Sequence, residues 1–209
     1  NNYENLRFND AASDLMQFIW DEYCSWYLEL SKDRIYNEED IEGQRTAKYV
    51  LLDVLQSAMR LLHPIMPFLT EEIWQGIKNY YPMEEEALII ALFPIADKAK
   101  VDRDIADHMS FMQEAITAVR NLRKQVNLPP ATEIHIVIRV AKEEQIKLFD
   151  EYRSYFNKLA KVIDMETGEG ITKPKVSIAA VVRNIEIYLP LNGLVDLAQE
   201  TAKLEILIY

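Results

Sequence analysis

The feature that most constrains this sequence is a change of hydrophobic period at Pro129-Pro130. Before the two prolines, apolar residues recur at steps of three and four, the spacing of amphipathic helices. After them, Ile134, Ile136, Ile138 and Val140 alternate with His135, Val137 and Arg139, the two-residue period of a strand. A proline pair cannot continue a helix. The chain therefore reads as a helical bundle followed by a small mixed unit.

Within the first half, Ala12, Leu15, Ile19, Tyr23, Trp26 and Leu30 form one stripe and predict a helix of about seven turns. A polar loop with Asn37, Glu38, Glu39, Asp40 and Gly43 follows. Ala47, Leu51, Val54, Ala58 and Leu61 mark a second helix. It ends at His63, because Pro64 disfavours helical backbone in the residue before it. Pro67 suits the first turn of a third helix, where its missing N–H had no partner. Ile73, Trp74 and Ile77 form the inward side of that helix, and Tyr81-Pro82 stops it. Ile105, Met109, Met112, Ile116, Val119 and Val126 predict a fourth helix.

Beyond the prolines, Ile146, Phe149, Tyr152, Phe156, Leu159 and Ile163 return to helical spacing, and Gly168 and Gly170 break the chain. Val176, Ile178, Ala180 and Val182 read as one strand, and Ile185, Ile187 and Leu189 as the next. Arg183-Asn184 predicts a tight hairpin between them, with Asn184 as the residue that tolerates positive φ. Leu194, Val195, Leu197 and Leu204 predict the start of another helix. The fold class is mainly α with a small α+β part. The bundle occupies residues 1–130, a β-α-β-β unit 131–193, and the start of a C-terminal helix 194–209.

Composition narrows the function. One cysteine, Cys24, cannot build a disulfide framework or a cysteine-based zinc site, and makes a reducing, cytoplasmic compartment the default. With five glycines there is no Gly-rich phosphate loop or dinucleotide fingerprint. No stretch approaches the roughly 18 to 20 apolar residues that span a bilayer, and the start lacks the pattern of a signal peptide. The apolar run Leu204 to Tyr209 is expected to continue into a longer chain. The net charge of −11 argues against RNA affinity spread over the whole surface. It divides unevenly: 18 acids stand against 9 bases in residues 1–100, and 16 against 14 in the remainder.

Catalytic chemistry has little support in the residues. His63, His108 and His135 lie far apart. His63, before a proline at a helix end, reads as a capping or packing residue. Cys24 lies beside an apolar stripe and reads as an inert core thiol. Asp21 and Glu22 are adjacent on a helix and read as a solvated face. A pocket joining His63 or His108 to carboxylates would be needed for a stand-alone enzyme.

Two clusters point to RNA. The aromatic group Trp20, Tyr23, Trp26 and Tyr27 precedes Leu28, Lys32 and Arg34 at a helix end. Tyr23 and Trp26 read as core. Tyr27 and Leu28 beside Lys32 and Arg34 suit unpaired bases, which offer a π-face and need a counter-charge for their phosphates. This reading requires Lys32 and Arg34 on a shared concave face. Arg120, Arg123 and Lys124 form the densest basic group, near a helix C-terminus. There the helix dipole alone favours cations, and contact with an RNA backbone is the sharper alternative.

Taken together, four segments resemble the valyl-tRNA synthetase family of class I aminoacyl-tRNA synthetases. FNDAASDLMQFIWDEYCSWYLEL (8–30) with SKDR is similar to its anticodon-binding helix, and RLLHPIMPFLTEEIWQ (60–75) to the next hallmark. AITAVRNLRKQVNLPP (115–130) resembles the helix leading into its small α/β unit, and LPLNGLVDLAQETAKLE (189–205) the start of its C-terminal coiled-coil arm. Isoleucyl and leucyl relatives share the bundle, but HPIMPFLTEEIW and GLVD look valyl.

The resemblance implies a parent enzyme that joins valine to its tRNA with ATP and Mg²⁺. A separate domain would edit mischarged threonine, because an apolar pocket rejects an added hydroxyl only weakly. The family's HIGH and KMSKS motifs do not occur here, so no catalytic residue, metal or cofactor is expected in this chain. Its expected partners are valine tRNA and the upstream catalytic and editing domains. Part of the anticodon site would come from helices before Tyr3. The competing reading is an acidic helical interaction domain that packs on other domains without touching RNA.

Overall fold

A computed structural model describes residues 2–194. The expected C-terminal arm, from residue 195 on, lies outside the described residues. The chain divides into two compact units, residues 1–98 and 99–209.

The first unit is helical. α1 (Phe8–Gln17) runs without a break into a π-helical segment (Phe18–Leu28) and then α2 (Glu29–Ile35). One long helix is therefore present as expected, but its middle is wound more widely. In a π-helix each N–H bonds five residues back. Ile19, Tyr23, Cys24, Trp26 and Leu28 are half-buried along the segment. Ser25 Oγ also donates to the Trp20 carbonyl five residues earlier, at 2.6 Å.

α3 (Ile41–Leu62) starts at Asp40, whose carboxylate accepts from the Gly43 N–H at 2.9 Å. Such a cap satisfies a donor that the first turn leaves unpaired. α4 (Pro67–Ile77) carries its proline in the first turn. His63 Nδ1 lies 2.8 Å from Thr70 Oγ1, and that hydroxyl donates to the Met66 carbonyl at 2.9 Å. His63 thus fastens the turn between α3 and α4. Ala58, Met59, Leu62, Trp74, Ile77 and Leu88 form the core of this unit, with Leu15, Ile19, Leu52, Leu55 and Ile73 packed around it. Tyr23 ties the π-helical segment to α3 by donating to the Leu51 carbonyl at 3.0 Å. Burial, with smaller contributions from Cys24 and Tyr27, pushes its hydroxyl up to about 12.

The second unit packs one long helix on a four-stranded sheet. α5 (Arg103–Gln125) is capped by Asp102, which accepts from Asp104 and Ile105 N–H groups at 3.0 and 3.1 Å. β1 (Ile134–Arg139), α6 (Glu143–Glu151), α7 (Arg153–Ala160), β2 (Val162–Gly168), β3 (Ser177–Val182) and β4 (Ile185–Pro190) follow. The sheet order is β2-β1-β4-β3, with β1 and β2 parallel and the other pairs antiparallel.

The division between Lys98 and Ala99 gives α5 to the second unit. Its cause is the face Phe111, Met112, Ala115, Ile116, Val119 and Leu122, which α5 buries against β3, β4 and α7. The mixed unit has one strand more than β-α-β-β, because Val162–Gly168 pairs with β1. That edge strand carries a register shift at Ile134/His135 and no clean alternation of burial. Helical spacing through Ile163 therefore concealed it. The predicted single helix is also two, divided at Tyr152.

The β3–β4 hairpin forms where expected, but the left-handed residue is Arg183, with φ of 48°. Its guanidinium explains the choice. It bonds Asp107 at 2.9 Å and Glu114 at 2.8 Å on α5, and sits 5.1 Å from the Phe111 ring centre. The hydrogen bond from Arg183 holds the Glu114 carboxyl below its ordinary range. Arg183→Ala keeps the backbone strain and loses these anchors. Arg183→Gly loses the anchors but relieves strain of about 1 kcal/mol. The glycine variant is therefore expected to be the more stable of the two by about 1 kcal/mol, as read from hydrogen exchange of β3 and β4 amides. The anchor's contribution is complete above the ordinary carboxylate range and fades as pH falls through the lowered Glu114 value.

Candidate nucleic-acid interface

In the first unit, the expected site residues lie where the π-helical segment passes into α2. Tyr27 is 37% exposed, whereas Leu28 is half-buried on the inward stripe. Lys32 Nζ bonds Glu29 Oε1 at 2.6 Å, one turn back. Arg34 is exposed in the last turn. Lys32 and Arg34, two residues apart, are rotated by about 200° around the helix axis. The structure does not bring them to one face. Arg34 instead follows Tyr27 by seven residues, about two turns, which puts ring and cation on the same side. Trp20, 62% exposed, is a second aromatic surface on the π-helical segment.

In the second unit, Arg120, Arg123 and Lys124 do come together, but with different roles. Arg123 is only 7% exposed. Its Nη1 donates to the carbonyls of Thr132 and Ala160 at 2.7 and 3.1 Å. Its Nη2 donates to Pro129 and Pro130 at 2.8 and 3.2 Å. The planar fork suits this fourfold task. Arg123 therefore joins the end of α5 to the end of α7. Arg120 Nε donates to the Leu159 carbonyl at 2.8 Å. Burial lowers the pKa of both arginines from the ordinary guanidinium value.

The two helix ends share a device. Asn127, with φ of 51°, closes α5 while Leu128 N–H bonds the Arg123 carbonyl at 3.0 Å. Lys161, with φ of 56°, closes α7 while its N–H bonds the Asn157 carbonyl at 2.9 Å. An open cleft of about 580 Å³ lies between them. Arg120, Arg123, Lys124, Lys158 and Lys161 are its charged lining residues among the described residues, and all five are cations. Lys158 and Lys161 carried no signal in the sequence. The fold of α7 brings them to Lys124 from more than thirty positions away.

A second open cleft places His108 among Asp107, Glu144 and Glu151. Asp107 is bound to Arg183 there. Among the described residues no group of three His, Cys, Asp or Glu side chains could hold a metal ion, and no helix is long and apolar enough to cross a membrane.

Residues 1–138 match the family described as the anticodon-binding domain of tRNA ligase. The chain belongs to that family. It is similar to the valine–tRNA ligase of Syntrophotalea carbinolica, with 38% identity over 96% of this chain and 22% of that protein. It is similar at 36% to the valine–tRNA ligases of Bacillus licheniformis and Geobacter sulfurreducens, over 97% and 96% of the chain. The chain spans 22% of the length of each of these relatives. The anticodon-binding match runs through the first unit and α5 and ends in β1.

Proposed function

We propose that this chain is the tRNA-binding, anticodon-recognising part of a valine–tRNA ligase. The observation that carries the reading is the anticodon-binding match over residues 1–138, together with similarity to valine–tRNA ligases over nearly the whole chain. In this reading the parent joins valine to its tRNA with ATP and Mg²⁺ in the cytoplasm, and edits mischarged threonine. Those steps belong to other domains. No step of this chain's own work is routed through a metal ion.

The anticodon contact is proposed at Tyr27 and Arg34, which share one side of the helix; Lys32, on the opposite side and bonded to Glu29, lies outside it. A ring supplies a stacking face for an unpaired base, and stacking of this kind is worth about 1–3 kcal/mol per base. Leu28 supports the helix from beneath. Tyr27→Ala combined with Arg34→Gln is expected to weaken valine tRNA binding at least about fivefold, measured by fluorescence titration at fixed salt. Affinity unchanged within a factor of two would sink this placement.

The alternative, an acidic helical domain that packs on other domains without touching RNA, has its own observation. Phe68, at the start of α4, is 91% exposed, and Leu69, Leu92, Ile95, Phe8 and Leu6 are exposed as well. The partners in this reading are the catalytic and editing domains of the same parent chain.

A further inference from the structure

The basic cleft of the second unit has a use that helix capping does not exhaust. A helix C-terminus carries roughly half a negative elementary charge. The ends of α5 and α7 together call for about one compensating cation. Arg120 and Arg123 already bond the carbonyls there. Lys124 and Lys161 line the same cleft in addition, and both are exposed. Lys161 also occupies a left-handed position, which glycine would fill without strain. This positive surplus stands out in its setting. Residues 1–98 carry 18 acids against 8 bases, whereas residues 99–209 carry 16 against 15.

The rest of the lining selects the ligand. Asn127, Leu128, Pro129, Pro130, Leu159 and Ala160 complete the wall. None is aromatic, so the cleft offers no ring on which a base could stack. Lysines act as point charges toward phosphate. We infer that this cleft binds the phosphate backbone of tRNA through Lys124 and Lys161. The inference rests on the tRNA-binding reading for its choice of RNA. It adds a sequence-independent grip centred on the second unit.

The test uses the whole chain and an RNA duplex of unrelated sequence, which has no anticodon. Backbone amides of Lys124, Asn127, Leu128 and Lys161 are followed by heteronuclear NMR during the titration, and they are expected to shift. Lys124→Gln with Lys161→Gln should weaken the duplex, valine tRNA and anticodon-swapped valine tRNA by the same factor, about fivefold or more at 0.1 M salt. The slope of log affinity against log salt should fall by about 1.5. Lys161→Gly, which suits the left-handed turn, replaces Lys161→Gln if the latter perturbs the fold. The control Lys173→Gln with Lys175→Gln removes the same charge from outside the cleft, and should change the slope by less than half as much.

Unshifted cleft amides, or a cleft variant that behaves like the control, would overturn the assignment. A response to inorganic phosphate but not to the duplex would also overturn it, by making the site one for free phosphate. A variant that weakens only the tRNA with its native anticodon would contradict a backbone grip. Equal wild-type affinity for the two tRNAs defeats anticodon reading while leaving the cleft supported.

Discussion

Arg123→Leu is expected to destabilise the second unit by about 3 kcal/mol, without removing any RNA contact. The substitution keeps apolar bulk near the helix but withdraws donors from four carbonyls, those of Pro129, Pro130, Thr132 and Ala160. Each acceptor left dry costs about 1–3 kcal/mol, and those that reach water recover part of it. Arg123→Lys should not rescue the loss, because an ammonium is not a fork that spans both ends of the cluster. The readout is hydrogen exchange at β1 and β4 amides, which should accelerate by about a hundredfold. If exchange is unchanged while RNA affinity drops, Arg123 is an RNA ligand and its assignment here is wrong.

Trp74→Ala should be the most damaging single change in the first unit, at about 3–5 kcal/mol. Trp74 is fully buried at the centre of a small core, between Met59 and Leu62 of α3 and Leu88. The Arg60 guanidinium also sits 5.3 Å from its ring centre. Circular dichroism should show the helical transition moved to much lower temperature, while amide exchange in β1 and β4 stays slow. Trp74→Phe keeps most of the apolar volume and should cost less than half as much. Equal damage to both units would show that the chain unfolds as one block.

These residues also show where the sequence was legible. Trp74, Ile77, Ala47, Leu51 and Ala58 are inward as their spacing requires, because an apolar stripe has one place to go. The π-helical segment was hidden, since steps of four serve both an α-helix and a π-helix. Trp26 and Leu28 are both half-buried after Tyr23, so the apolar pattern does not separate the two readings. The packing of α5 within the second unit was hidden because Pro129-Pro130 ends α5, whereas the side on which α5 packs depends on distant strands. Arg120, Arg123 and Lys124 were found as a group, but burial divides their roles, and burial is not written in spacing. Lys161 was invisible for the same reason: its place beside Lys124 exists only after α7 has crossed to β2. The candidate anticodon surface was legible as residue types and not as geometry, because about half a turn of helix decides whether Lys32 or Arg34 faces Tyr27.

The most direct test of the central claim is a titration of this chain with valine tRNA and with the same tRNA carrying a foreign anticodon. Both are measured by fluorescence anisotropy at two salt concentrations. Anticodon reading predicts that the native anticodon binds about tenfold more tightly, a difference of about 1.4 kcal/mol. Both affinities should fall steeply as salt rises. Equal affinity for the two tRNAs at both salt concentrations would contradict it.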